Sequence, residues 1–321
     1  MSSKTLTLES PLPTRFLAWM NERFPFSHGI LFFVLYATAL LAGRFSASSA
    51  PLTFGLVDLL GFLPAWCFFF MLRIFDEHKD YELDCQNYPQ RVLQSGLITL
   101  KHLKVAGAFA IGTQLVGSLA LDWHACGGSI GLLWSGVFVY SLLMAKEFFV
   151  SHWLARRLVL YAVSHLVVMP IAMLWMAQMG AGAGTLAPQI GLLAGLSFLS
   201  AAAFEVTRKL RAPEEERESV QSYTQVLGVR RAPILVMGLL AGSTALQVVL
   251  VHWVLAGAVS IVWYLVLGAG LLMPIVVLQR FRSTPTIKNR KANEGLVSLA
   301  MLMSYLVVVT ALIVERGLSW G

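Results

Sequence analysis

The sequence predicts an all-α integral membrane protein, a bundle of about nine spanning helices under a charged cytosolic cap. Composition is the first observation: 57% of the 321 residues are hydrophobic and 13% are charged, whereas soluble domains carry about a quarter charged residues. The second is recurrence. Apolar runs of the roughly 17–25 residues needed to cross a bilayer occupy about 28–47, 54–72, 104–121, 129–147, 158–178, 186–204, 233–252, 256–278 and 295–314. The third is the placement of the bases. If the first span starts inside, the loops 73–103, 145–157, 205–232 and 279–294 share one side with the N-terminus. Of the 24 Lys and Arg, only Arg44 and Arg316 then fall outside. The other 22 (24 less those two) lie in the N-terminal arm or along the inner loops and their edges. Basic residues concentrate on the cytosolic side of membrane proteins, so the segregation sets count and orientation together.

The implied organisation is a cytosolic arm (1–27), one transmembrane domain (28–314) with long cytosolic loops 73–103 and 205–232, and a short outer tail (315–321). A bacterial inner membrane is the expected location, with the N-terminus cytosolic and the C-terminus outside. No removable signal peptide is expected. The net charge of +7 is an orientation signal rather than a nucleic-acid one, and membrane lipid is the expected surrounding partner. Cys67, Cys85 and Cys126 have no metal-site spacing and read as unpaired thiols. Trp123, Trp153, Trp253 and Tyr305 read as an interfacial aromatic belt. The histidines form no pair with metal-ligand spacing and read as structural.

The second span runs into Arg73-Ile74-Phe75-Asp76-Glu77-His78-Lys79-Asp80-Tyr81-Glu82-Leu83-Asp84. Asp76, Asp80 and Asp84 are spaced i, i+4, i+8, which on a helix confines them to an arc of roughly 80°. Three stacked carboxylates repel one another unless cations lie between them. Mg²⁺ is such a cation, because it binds a few carboxylates while substrate phosphate completes its shell. A solvated acidic helix end, softened by Arg73 and Lys79, is the alternative.

This segment resembles the first aspartate-rich motif of the UbiA superfamily of intramembrane prenyltransferases, with Asp76, Glu77, Asp80 and Asp84 at its acidic positions. Arg91 to Ile98 is similar to the Arg-Pro-Leu-x-x-Gly-x-Ile stretch that follows, departing at Val92. The nine spans with long second–third and sixth–seventh loops also match. The resemblance implies Mg²⁺ held by Asp76, Asp80 and Asp84 on the diphosphate of an isoprenoid donor. It also implies basic side chains on the same diphosphate, an apolar cavity for the isoprenoid tail, and transfer to a lipid-soluble or aromatic acceptor. Arg73, Arg91 and Lys146 are candidate phosphate contacts, Lys146 matching a lysine at the end of the fourth span in the family. Glu77 and Glu147 are supporting acids, and Glu147 is a candidate base toward the acceptor.

The second motif departs from the family. The stretch Phe204-Glu205-Val206-Thr207-Arg208-Lys209-Leu210-Arg211-Ala212-Pro213-Glu214-Glu215-Glu216-Arg217-Glu218 contains no aspartate. Glu205 stands at the first acidic position and Glu215 at the last, while Arg208 and Lys209 replace an acid. One reading has Arg208 and Lys209 contact phosphate directly, the guanidinium as a bidentate fork and the ammonium as a point charge. The other makes them anchors at a helix end, with Glu214 to Glu218 a solvated acidic turn. Three functions follow: a Mg²⁺-dependent prenyltransferase, a transferase of the same fold using another phosphorylated donor such as a sugar phosphate or nucleotide-linked headgroup, and a non-enzymatic lipid carrier.

Overall fold

The computed structural model describes residues 6–125, 127–217 and 221–321; Cys126 and Glu218 lie outside them. Fourteen α-helices follow in order: α1 (Leu12–Arg23), α2 (His28–Ala47), α3 (Leu56–Lys79), α4 (Tyr81–Asn87), α5 (Leu100–Ala125), α6 (Ser129–Ala145), α7 (Ser151–Ala155), α8 (Leu158–Leu166), α9 (Val168–Ala181), α10 (Ile190–Arg208), α11 (Tyr223–Leu227), α12 (Ala232–Val254), α13 (Ile261–Ser283) and α14 (Ile287–Arg316). Eight stretches are long and apolar enough to cross a membrane, α8 and α9 counting together as Leu158–Ala181. The apolar α6 is shorter and packs between α5 and α9. The expected count of about nine is met, and the protein is a multi-pass integral membrane protein.

The α8–α9 break has a local cause. Pro170 has no N–H for the Leu166 carbonyl four residues back, and the helical hydrogen-bond pattern is interrupted at Val167, whose backbone stays helical. Leu60, Phe109, Leu132, Val262 and Leu265 are exposed on the outside of the bundle, where a soluble protein would carry polar residues and where lipid supplies the apolar solvent here. Inside, α2 packs on α9. The helices approach so closely that a Cβ on Gly43 would collide with the Ala177 carbonyl, and one on Gly180 with the Leu40 carbonyl. Small residues permit such backbone contact between membrane helices.

One placement departs from the sequence reading. Tyr305 is 1% exposed in the middle of α14, so it is a core residue and not part of an aromatic belt, whereas Trp123 is 87% exposed. The tail is tied down by strand pairing. Its strand β2 (Leu318–Trp320) pairs in parallel with β1 (Leu52–Phe54). Beside this pair, at the face away from Asp76, Arg44 forms an ion pair of 2.7 Å with Asp58, and Asp58 also accepts from the Gly55 amide at 2.9 Å. Asp122 accepts from the Ile130 and Gly131 amides at 2.9 and 2.7 Å, satisfying donors that the start of α6 leaves unpaired.

Candidate functional site

The cap is built where α3 and α10 end side by side around α8. On α3, Glu77 is 1% exposed and is clamped by Arg23 of α1 at 2.6 Å and by Arg73 at 3.3 Å. A buried carboxylate persists only when paired, so Glu77 and its two arginines bind the N-terminal arm onto the bundle. Asp84 joins the same network through Arg91 at 2.8 Å and Arg23 at 3.5 Å. Arg91 also reaches Glu22 at 3.7 Å and stacks on the Tyr88 ring at 3.7 Å. Arg73 divides itself between Glu77 and Asp76, the latter at 3.7 Å.

Asp76 and Asp80 stand differently. Helix α3 ends at Lys79, and Asp80 caps it before α4 begins, so the three-aspartate row bends at its middle member. Asp76 is 42% exposed and touches Lys79 at 3.5 Å. Asp80 has no ion pair or side-chain hydrogen bond among the described residues. Burial raises its pKa above the ordinary carboxylate value, and the neighbouring Asp76 and Asp84 charges push it the same way, against Lys79 and Arg73. Among the described residues no three His, Cys, Asp or Glu side chains converge as a ready-made metal site. The fit to a divalent cation therefore rests on Asp80, a carboxylate without a partner between two others, with half-exposed Asp76 beside it.

The end of α10 is the basic counterpart. Glu205 is held by Arg208 at 2.9 Å and Lys209 at 2.8 Å, and Arg208 remains 52% exposed. Asp76 and Glu294 lie close enough to act on the Arg208 guanidinium. Burial, followed by the Glu205 charge, pushes the Tyr223 phenol up to about 12. The acidic stretch that follows is not a solvated turn throughout. Glu215 is bound by Arg290 of α14 at 2.8 Å, and Glu216 accepts from Ser222 at 2.8 Å and Thr224 at 2.6 Å. Glu214 is exposed.

Tyr161 on α8 joins the two ends. Its hydroxyl accepts from Lys79 Nζ at 2.9 Å and donates to Glu147 at 3.2 Å. Lys79 and Lys209 lie 5.5 and 5.8 Å from its ring centroid, within cation–π range. Glu147 arrives on a 3-10 turn, Glu147–Phe149, whose three residues have φ of 47°, 54° and 59°. Lys146, one residue earlier, is exposed and makes no ion pair among the described residues.

The structure thus brings together Asp76, Asp80, Glu147, Glu205, Arg208 and Lys209. Glu77, Asp84, Arg73 and Arg91 are committed to a supporting network with Arg23. Sequence reasoning missed Arg23, Lys79 and Tyr161 as members of the site. The i, i+4 spacing of Tyr161 and His165 in a cap-proximal helix is the signal that was present. An apolar groove of about 910 Å³ runs along α5 from Val105 to His124. On α3 it reaches no nearer the cap than Pro64, twelve residues (76 less 64) from Asp76.

These features define a multi-pass membrane bundle whose charged helix ends meet at one face. The UbiA prenyltransferase family profile matches residues 30–306, and the chain belongs to that family. No curated protein matches. Solved structures share the fold at low identity. A digeranylgeranylglyceryl phosphate synthase is 18% identical with a TM-score of 0.61, over 95% of this chain and 99% of its own. A UbiA homologue from Aeropyrum pernix K1 is 15% identical with a TM-score of 0.63, over 90% and 98%. A UbiA homologue from Archaeoglobus fulgidus, bound to GPP and Mg²⁺, is 14% identical with a TM-score of 0.53, over 91% and 99%.

Proposed function

We propose that the chain is a Mg²⁺-dependent transferase that moves a prenyl group from an isoprenoid diphosphate to a lipid-soluble or aromatic acceptor at the cytosolic face. The observation that carries this reading is the approach of the acidic α3 end to the basic α10 end across Tyr161. Asp76 and Asp80 would hold Mg²⁺, which supplies neutralisation of the diphosphate charge so that the leaving group can depart. Asp84, bound to Arg91 and Arg23, keeps the row in place and contributes field. Arg208 and Lys209 are fixed cations for the phosphate oxygens on the other side, where the family places a second acidic motif. When phosphate binds, it replaces Glu205 as their partner, so Glu205 holds the bases ready and is the residue they leave. Exposed Lys146 reaches the same phosphate from α6. Glu147, bonded to the Tyr161 hydroxyl, is the base that receives the acceptor's proton, while Tyr161 and Lys79 fix its position.

The A. fulgidus homologue with GPP and Mg²⁺ supports the donor class. The Lys and Arg distribution supports a cytosolic cap, and the reading places the chain in a bacterial inner membrane. The test is stabilisation of the purified full chain by donors. Mg²⁺ with GPP is expected to raise the melting temperature, and sugar phosphates or nucleotide-linked headgroups are not. Stabilisation by those donors alone would transfer the assignment to a different phosphorylated substrate. Mg²⁺-insensitive lipid uptake without turnover would make the chain a carrier.

A further inference from the structure

Three histidines share one anchoring. The Nδ1 atoms of His78, His165 and His252 lie 2.8 Å from the carbonyl oxygens of Ile74, Tyr161 and Val248. A carbonyl only accepts, so each Nδ1 carries the hydrogen, and in the neutral ring Nε2 is left as a bare acceptor. At His252 that acceptor is filled by the Tyr264 hydroxyl at 2.9 Å. At His165 it is buried and has no partner. The His165 ring stacks on Tyr161, with centroids 4.1 Å apart and planes at 14°. Its unpaired nitrogen therefore belongs to the junction of Tyr161, Lys79 and Glu147. His78 also has a bare Nε2, but two helix positions turn it about 200° from Asp76, and it is not enlisted.

Leaving such an acceptor unpaired is unfavourable, a cost that an apolar side chain at this position would not carry. Phe148 stands edge-on to the ring at 6.1 Å, carried by the turn whose three successive non-glycine residues have positive φ. Left-handed backbone is unfavourable for residues that carry a Cβ. The aromatic neighbour of the His165 ring is thus carried by a strained turn.

We propose that His165 Nε2 accepts a hydrogen bond from the hydroxyl of the prenyl acceptor, and that Phe148 moves aside to admit it. The acceptor is then a hydroxyl-bearing, lipid-soluble molecule, bound as Tyr264 is bound by His252. His165 is a positioning residue, and this assignment rests on the transferase reading for the word acceptor but not for the binding itself.

The test uses the full chain in lipid nanodiscs, with a long-chain phenol, a long-chain primary alcohol and the methyl ether of each as probes. Wild type is expected to bind the hydroxyl probes roughly three- to tenfold more tightly than the ethers, the worth of one hydrogen bond. His165→Phe is expected to erase that preference. His165→Gln, whose Oε1 falls near the lost Nε2, is expected to restore most of it and controls for folding. Equal binding of alcohols and ethers by wild type, or a preference that survives in His165→Phe, would overturn the inference. A His165-dependent preference in a protein that transfers no prenyl group from any diphosphate would sink the transferase reading alone.

Discussion

The two faces of this bundle treat buried polar groups in opposite ways. Away from the cap, Asp58 has Arg44 and an amide, Asp122 caps two amides, and the His252 acceptor has its tyrosine hydroxyl. In the cap, Asp80 has no partner among the described residues, its pKa is raised, and the His165 nitrogen is bare. Folding alone favours the first arrangement, since unpaired buried polar groups are costly. The second persists where a bound molecule completes the set. The difference separates groups that hold the fold from groups that the proposed function assigns to a ligand, and it also divides the cap itself, where Glu77 is ion-paired to two arginines and Asp80 to none among the described residues.

That division is broken most sharply at Asp80. Asp80→Asn is expected to lower Mg²⁺-dependent kcat/KM by roughly a hundredfold or more, as loss of transition-state charge stabilisation does. Expression and monodispersity should survive, and full activity would refute the metal assignment. Glu77→Gln should fail differently. Removing one partner of a buried ion pair costs about 3–5 kcal/mol, so the melting temperature should fall for apo and ligand-bound protein alike. A stable but inactive variant would move Glu77 into the chemistry.

Arg208→Gln should weaken the donor by about tenfold, within the range of one charge-assisted hydrogen bond, read as a rise in KM for the diphosphate with the acceptor KM unchanged. On the opposite face, Asp58→Asn should cost about 1–3 kcal/mol of stability, because Arg44 loses its charged partner, and should leave kcat/KM unchanged. The smallest effect is a pH dependence. A folded-state pKa above the unfolded value means that ionised Asp80 opposes folding. The stability contributed by its protonated form is present below the unfolded pKa and is lost as pH rises through the raised folded one. Without Mg²⁺, Asp80→Asn should therefore melt slightly above wild type at neutral pH, and the gap should close in acid. A gap that widens in acid would contradict the raised pKa.

Much of the site was legible because its chemistry is carried by residue type and spacing. Asp76, Asp80 and Asp84 recur every four residues after a span, and the bases replacing the second acidic motif stand in one run, Arg208-Lys209. What spacing cannot show is which charges neutralise each other. Arg23 lies 54 residues from Glu77 and Lys79 lies 82 from Tyr161, and no local pattern links either pair. The helix break at Asp80 was equally hidden, because a periodic row of acids looks the same on a straight helix as on a bent one.

By itself the sequence determined the class, the membrane and the approximate number of crossings, since hydrophobic length acts through the solvent and needs no partner to be read. Only the tertiary structure decided that Glu77, Asp84 and Arg91 brace the cap, that Tyr305 lies in the core, and that Tyr161 couples the acidic end to the basic one. Those roles depend on distances between residues far apart in the chain. Whether a buried charge is satisfied or left waiting is a property of the packed neighbours around it.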